Sequence, residues 1–179
     1  MEGGRKIFTI WLTGLPASGK STLASLLAQS IEKQGIRVQI LDSDKLRQVL
    51  TPDPKYTAEE REWFYQTLVY IGSLLVRQDV NIIIAATAHK RNYREWGRQS
   101  YSNFLEIYVR CPLEVCIERD QKGIYSKAMT GATHSVPGIQ VCYEVPESPA
   151  MIVDTELDMP QEIVHQIMKH LAELTYLQA

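Results

Sequence analysis

Residues 14–21 read Gly-Leu-Pro-Ala-Ser-Gly-Lys-Ser, which fits the phosphate-binding pattern G-x-x-x-x-G-K-[ST] at every fixed position. The preceding residues 7–13, IFTIWLT, are apolar and β-branched and predict a buried strand. The following residues 21–28 have the composition and apolar spacing of a helix. A glycine-rich loop between a strand and a helix predicts a nucleotide phosphate site, and the alternative is a chance glycine-rich turn before a helix.

Each residue type in this loop has a physical task in phosphate binding. Gly14 and Gly19 permit a tight backbone whose N–H groups surround a phosphate, and the helix start adds the positive end of its dipole. Lys20 brings a charge to the outer phosphates, the Ser21 hydroxyl is a ligand for Mg²⁺, and Thr22 donates to a phosphate oxygen. The residues that we expect to bind ATP here are Gly14, Leu15, Pro16, Ala17, Ser18, Gly19, Lys20, Ser21 and Thr22.

Size and composition predict one globular domain, which we assign to residues 1–179. With a formal net charge of −2 at pH 7, the chain offers no electrostatic case for binding nucleic acid or a membrane surface. No apolar run is long enough to cross a bilayer, and the N-terminus lacks the apolar core of a signal peptide, so we expect a cytoplasmic location. Three cysteines without a C-x-x-C pair predict neither a disulfide framework nor a zinc site, and we expect Cys111 and Cys116 to be core thiols.

Apolar runs alternate with helical patterns along the chain. After the first strand, strands are predicted at 38–41, 81–86, 105–109 and 151–153, and helices near 20–34, 57–79, 91–102, 112–121 and 160–177. This alternation predicts an α/β fold in which helices cover both faces of a parallel sheet and ligands lie at the carboxyl ends of the strands. Residues 128–149 form the one long irregular segment, which predicts a functional loop.

Two carboxylates and a guanidinium follow the second predicted strand. The sequence there reads Asp42-Ser43-Asp44, followed by Arg47. Phosphoryl transfer needs a metal anchor or proton acceptor near the attacking hydroxyl, and cations for the charge. The third predicted strand ends in Ala85-Ala86-Thr87 without an acid, which assigns the metal and base work to Asp42 and Asp44. The alternative is that either aspartate only caps the following helix.

Two further basic groups follow the third and fourth predicted strands. The first comprises Lys90, Arg91 and Arg94, and the second comprises Arg119, Lys122 and Lys127. Each is either a solvated helix face or a ligand contact, and the shared sheet edge with the phosphate loop favours ligand contact. The second group lies beside Gly123, which predicts a lid that closes over a nucleotide.

Ordered motifs over residues 7–155 together resemble those of the adenylylsulfate (APS) kinase family. They are GLPASGKST at 14–22, LDSDKLR at 41–47, Arg61, CPLEVCIERDQKGIY at 111–125, YEVPESP at 143–149 and VDT at 153–155. The resemblance implies a homodimeric P-loop kinase of three α/β/α layers with a mostly parallel five-stranded sheet. It also implies transfer of the γ-phosphate of MgATP to the 3′-hydroxyl of adenosine 5′-phosphosulfate, which forms PAPS.

The resemblance also implies roles for individual residues. Lys20, Asp42 and Asp44 are the candidate catalytic residues, with Asp42 accepting or orienting the 3′-hydroxyl proton, and the implied metal ligands are Ser21 and Asp42. Arg47 and Arg61 match arginines that hold the phosphosulfate, and Arg119 matches a lid arginine on the nucleotide side. The remaining candidates for substrate contact are Asp44, Tyr56, Lys122, Lys127 and Ile139.

Four positions depart from the pattern of that family. Lys45 and Phe64 stand where asparagine is usual, Ala88 replaces a serine proposed as a phosphorylated intermediate, and Val136 replaces one of two aromatics around the substrate adenine. Ala88 favours direct in-line transfer. The other three leave open a different acceptor hydroxyl on a nucleotide-linked compound or a small metabolite. A third hypothesis is a nucleotide-binding regulatory or scaffold protein without turnover, which the retained Lys20, Ser21, Asp42 and Asp44 argue against.

Overall fold

A central sheet organises residues 6–177, the part of the chain that the computed structural model describes. Its strands are β1 (Thr9–Thr13), β2 (Val38–Asp42), β3 (Asn81–Ala85), β4 (Phe104–Arg110) and β5 (Met151–Asp154), in the spatial order β2-β3-β1-β4-β5. All four pairings between neighbouring strands are parallel. The five predicted strands and the predicted parallel sheet are therefore confirmed.

Seven helices connect and cover the strands within the described residues. They are α1 (Lys20–Glu32), α2 (Ser43–Leu50), α3 (Ala58–Val76), α4 (Arg91–Ser100), α5 (Leu113–Glu118), α6 (Ile124–Met129) and α7 (Pro160–Glu173). The five predicted helices are confirmed, although α3, α5 and α7 are shorter than expected. The short helices α2 and α6 were not predicted as separate elements, because neither is long enough to show a clear apolar period.

The sheet is buried on both faces, which makes three layers. Residues of β1 alternate between the two: Ile10 and Leu12 pack with α1 and α7, while Trp11 packs with α3 and α4. A strand that is covered on both sides has no polar face, which explains why β1 and β3 read as continuous apolar runs. The predicted α/β/α layering is thus confirmed.

The order of the strands determines where a ligand can bind. The chain passes from β1 to the edge strand β2, returns to β3 beside β1, and then crosses to β4 and β5 on the other side of β1. At such a reversal the connections after neighbouring strands diverge and leave a crevice at the carboxyl end. The glycine-rich loop leaves β1 at this point, so the fold itself places it at the floor of the crevice.

Three observations bear on the expectations from composition. Cys111 and Cys116 are buried free thiols, as predicted, and Cys142 is exposed. Over residues 6–177, no helix has both the length and the apolar character that a membrane span requires.

Candidate active site

A cleft of about 970 Å³ opens at the carboxyl ends of the strands. The glycine-rich loop forms its floor, and Pro16, Ala17 and residues 19–22 of that loop line the cleft. The loop needs both glycines: a Cβ on Gly14 would meet the carbonyl oxygen of Val109 and, at 2.9 Å, the hydroxyl of Ser18, and Gly19 adopts φ +94°. Gly14, Leu15 and Ser18 lie behind the wall and shape the loop from within.

Lys20 arches back over this loop. Its Nζ donates to the carbonyl oxygens of Leu15 at 2.6 Å and Gly14 at 3.1 Å, and lies 3.4 Å from Ser18 Oγ. Burial lowers the pKa of Lys20 to about 8, against the opposing effect of Asp44 and other nearby groups. The amine is therefore held at the phosphate-binding loop. An anion bound there would favour the charged form of Lys20.

Asp42, the last residue of β2, contacts both the start of α2 and the phosphate loop. Its Oδ1 accepts the backbone N–H groups of Asp44 at 2.9 Å and Lys45 at 3.3 Å, which caps α2. Its Oδ2 accepts the Ser21 hydroxyl at 2.7 Å. Asp42 therefore caps α2, as the alternative predicted, but it does not only cap the helix, because it also contacts the phosphate loop.

The Asp42–Ser21 pair suits Mg²⁺, which prefers oxygen ligands and commonly takes one or two from the protein and the rest from water and substrate phosphates. Among the described residues, no group of three or more His, Cys, Asp or Glu side chains is arranged to hold a metal ion. A site at this pair would therefore depend on oxygens from the nucleotide.

The lid segment, residues 119–127, contacts the phosphate loop and α2 across the cleft. Lys122 Nζ lies 2.6 Å from Asp44 Oδ2, and this hydrogen bond raises the pKa of Lys122. Arg119 donates to the carbonyl oxygen of Thr155 at 2.8 Å, and the Thr155 hydroxyl donates to the Ser18 carbonyl at 3.0 Å. All three predicted lid cations line the cleft: Arg119, Lys122 and Lys127.

The opposite wall carries the two arginines predicted for substrate binding. Arg61 donates from Nε to the Tyr56 carbonyl at 3.1 Å and from Nη2 to Ser135, at 2.6 Å to the carbonyl and 3.2 Å to the hydroxyl. Burial lowers the pKa of Arg61. Tyr56 adopts φ +56°, a conformation that is sparsely populated by aromatic residues and that tends to occur at functional sites. Arg47 lines the same wall and is nearly buried.

Ile139, a predicted substrate contact, lies in a tight turn beside the cleft. The backbone N–H groups of Ile139 and Gln140 both donate to the Val136 carbonyl, which forms a tight turn. Val136 and Pro137 line the cleft, whereas Ile139 does not, and its side chain is 39 % exposed. Because of this turn, which sequence spacing does not reveal, Val136 and Pro137 line the cleft in place of Ile139.

The two arginines of the first basic group after β3 bind protein groups outside the cleft. Arg94 lies 2 % exposed on the inner face of α4, where it donates to Glu106 at 2.6 Å and to the Glu144 carbonyl at 2.6 Å. The Arg91 guanidinium pairs with Glu147 and donates to the Val145 carbonyl, and its backbone N–H donates to Glu144. These cations stabilise the irregular segment instead of reaching the cleft.

One stretch of the cleft wall escaped the sequence prediction. The segment that follows β5 lines the cleft with six consecutive residues: Thr155, Glu156, Leu157, Asp158, Met159 and Pro160. Leu157 is 75 % exposed and Met159 is 63 % exposed. The available signal was position, since this segment follows the carboxyl end of the last strand.

Comparisons with known proteins agree with this geometry. The sequence model of the family described as Adenylylsulphate kinase matches residues 6–154. A probable adenylyl-sulfate kinase of Pyrococcus abyssi is 39% identical over 177 residues, covering 99% of both chains. The structure of a Mycobacterium tuberculosis APS kinase in complex with AMPPNP and APS is 27% identical, with a TM-score of 0.88 over 93% of this chain and 98% of that one. A hexameric APS kinase from Thiobacillus denitrificans is 26% identical, with a TM-score of 0.71 over 97% of this chain and 30% of that one.

Proposed function

This chain belongs to the adenylylsulphate kinase family, and we propose that it transfers the γ-phosphoryl group of ATP to the 3′-hydroxyl of adenosine 5′-phosphosulfate. The observation that carries the proposal is one shared cleft. It has the phosphate loop on its floor and two arginines on the far wall, and the Ser21 hydroxyl in that loop donates to the buried carboxylate of Asp42. A donor nucleotide and an anionic acceptor in this cleft would therefore meet next to this carboxylate.

The loop and Lys20 form the donor half. Backbone N–H groups of the loop, to which every residue of 14–22 except Pro16 can contribute, and the N-terminus of α1 favour the triphosphate, and the Lys20 ammonium neutralises its outer charge. Arg119 completes this half through its contacts to Thr155, which joins the lid segment to the loop.

Asp42 is the residue that we assign to the transfer step. Its carboxylate orients the 3′-hydroxyl and accepts its proton as the oxygen attacks in line, with Asp44 beside it. Ser21 and Asp42 would hold Mg²⁺, which neutralises charge on the phosphates when bound. Because Ala88 has no hydroxyl to phosphorylate, transfer proceeds directly from nucleotide to acceptor.

Four cations and one ring recognise the acceptor in this proposal. Arg47 and Arg61 lie beside the Tyr56 ring, which packs 5.0 Å and 5.1 Å from their respective Cζ atoms. Lys122 and Lys127 lie on the lid side of the same cleft. Together they match an adenosine whose 5′ substituent is a dianion.

The remaining assignments extend the proposal beyond the site. We assign one kinase domain to residues 1–179, which the 99% coverage of the Pyrococcus abyssi relative supports. The homodimer and the cytoplasmic location stay predictions from the resemblance and the composition.

An assay of ADP release tests the function. Turnover is expected with APS, and PAPS should form in equal amount, whereas AMP, adenosine, gluconate and shikimate should give background rates. The alternative acceptor hypothesis rests on Lys45, Phe64 and Val136, of which Val136 lines the cleft where an aromatic residue is usual in the family. Failure of APS at every concentration while another acceptor reacts would establish that alternative, and ATP binding without turnover of any acceptor would favour a regulatory protein.

A further inference from the structure

The guanidinium of Arg47 lies against aromatic rings on the acceptor side of the cleft. Its Cζ is 3.8 Å from the ring centroid of Phe64, 5.0 Å from that of Tyr56 and 5.9 Å from that of Tyr65. The distance to Phe64 is the shortest of the three, and Phe64 is fully buried. The ring of Phe64 therefore forms a rigid platform beneath the charge.

The hydrogen-bonding donors of Arg47 are incompletely used. Its side chain is 8 % exposed, and Nη1 lies 3.4 Å from Glu60 Oε1. Nη2 is buried and has no hydrogen-bond acceptor among the described residues. A buried polar group without a partner is uncommon and costly, so a cleft residue that keeps one indicates a ligand that supplies the acceptor.

Arg61 differs from Arg47 in this respect. It spends Nε and Nη2 on the backbone of Tyr56 and on Ser135, which joins the segment before α3 to the irregular segment. Of the two arginines, Arg47 is thus the one with a buried Nη2 that lacks a protein acceptor.

Phe64 explains how these donors stay available. An aromatic face attracts a guanidinium but offers no in-plane oxygen, so it holds the group without consuming an N–H. An amide side chain at this position would present an oxygen that competes for Nη2. We infer that Phe64 is a positioning residue that holds the plane of Arg47 and keeps Nη2 for the anionic 5′-phosphosulfate of the acceptor. This inference rests on the proposed function and deepens it.

Fluorinated phenylalanine tests the inference with little change of shape. Incorporation of mono-, tri- and pentafluorophenylalanine at position 64 progressively weakens the ring's attraction for a cation. We expect the Kd and KM for APS to rise in step, by about three- to tenfold at the highest fluorination, while kcat and the KM for ATP stay within about twofold. The matched control is the same series at Phe8, which is equally buried but packs against Tyr176 in the other layer.

An Arg47→Gln background shows whether the effect acts through the guanidinium. There, fluorination of Phe64 is expected to change the Kd for APS by less than about twofold, because the cation it acts upon is absent. A full response in that background would overturn the inference. An APS affinity that ignores fluorination, or equal shifts for APS and ATP, would also overturn it and indicate a purely structural Phe64.

Calorimetric titration with APS separates this inference from the proposed function, because it needs no turnover. Wild-type protein that binds APS but forms no PAPS overturns the proposed reaction, and the affinity series still decides the role of Phe64. Wild-type protein that turns APS over with a flat series keeps the reaction and overturns the inference. Absence of APS binding overturns both.

Discussion

At the scale of single residues, Asp42 combines a structural and a chemical position. One carboxylate oxygen accepts backbone N–H groups at the start of α2 and so caps that helix. The other oxygen accepts the hydroxyl of Ser21 in the phosphate loop. The cap fixes the rotamer of the side chain, so the second oxygen is held at the loop. Substitutions that separate the two tasks can therefore be designed.

Asp42→Ser keeps a good helix cap and removes the carboxylate, whereas Asp42→Ala removes both. We expect both variants to lose turnover by about 100-fold or more. Asp42→Ala should lose about 1 kcal/mol more stability than Asp42→Ser, because only serine accepts the N–H groups of α2. Steady-state kcat and urea unfolding measure the two effects. Near-wild-type turnover of Asp42→Ser would reduce Asp42 to a helix cap.

Lys20 should couple ATP binding to protons. Burial lowers its pKa to about 8, so part of the population is neutral above that pH before ATP binds. Phosphate charge favours the ammonium, which raises the pKa in the complex. We expect uptake of roughly half a proton or more on ATP binding near about pH 8.5, and far less near about pH 6.5, where Lys20 is already charged.

Calorimetry in buffers of different ionisation enthalpy measures this uptake. Lys20→Arg is the matched variant, since arginine stays charged throughout and should abolish the uptake above pH 8 while retaining a cation. Binding heats at the higher pH that are independent of the buffer in wild-type protein would contradict the assigned environment of Lys20.

At the scale of elements, α4 approaches β1 unusually closely at Gly97. A Cβ there would lie 2.8 Å from Cζ3 of Trp11 and 3.0 Å from Cε2 of Phe104. Trp11 is fully buried in the layer between α3, α4 and the sheet, so it has little room to move. Gly97 therefore permits the contact that seats α4.

Gly97→Ala has two opposing effects on stability. Alanine favours the helical backbone by up to about 1 kcal/mol, and the clash with the two rings costs about 1–3 kcal/mol. We expect a net loss of stability because the rings cannot yield without disturbing the core. Urea unfolding measures it, with exposed Ser100→Ala on the same helix as the control. A stabilised Gly97→Ala variant would show that Trp11 repacks freely.

At the scale of the whole molecule, a buried charge network joins distant segments. Arg94 binds Glu106 on β4, the carbonyl of Ala88 after β3 and the carbonyl of Glu144 in the irregular segment. Arg98 also reaches Glu106, at 2.7 Å, but its side chain is 42 % exposed. One guanidinium thus ties the connections that flank the acceptor side of the sheet.

Arg94→Leu should destabilise the protein by about 3 kcal/mol or more, because it leaves Glu106 buried with only a peripheral partner and frees two carbonyl groups. Arg98→Leu is the matched control on the same helix and the same carboxylate, and should cost about 1 kcal/mol or less owing to its exposure. Thermal unfolding of the two variants compares them. Equal losses would mean that the network is not held by Arg94.

Elements with a long apolar run or a long helical period could be predicted from the sequence, and features without such a pattern could not. The five strands and the long helices could be read from apolar runs and periodicity, and the loop from glycines whose close approach and positive φ the structure confirms. The side of the cleft formed by the segment after β5 could not, since its residues carry no spacing signal. The sequence also could not show that Val136 and Pro137, and not Ile139, line the cleft, because that depends on one tight turn.

By itself, the sequence determined the α/β layering, the phosphate loop and the carboxylate that ends β2, because these depend on residue type and on neighbours close along the chain. Only the tertiary structure decided which cations face the cleft. It buried Arg94 against Glu106, committed Arg61 to backbone carbonyls, and placed the guanidinium of Arg47 over Phe64 with its Nη2 unpaired. A guanidinium pairs with whatever acceptor the fold brings within reach, and that partner is set by packing between elements remote in sequence.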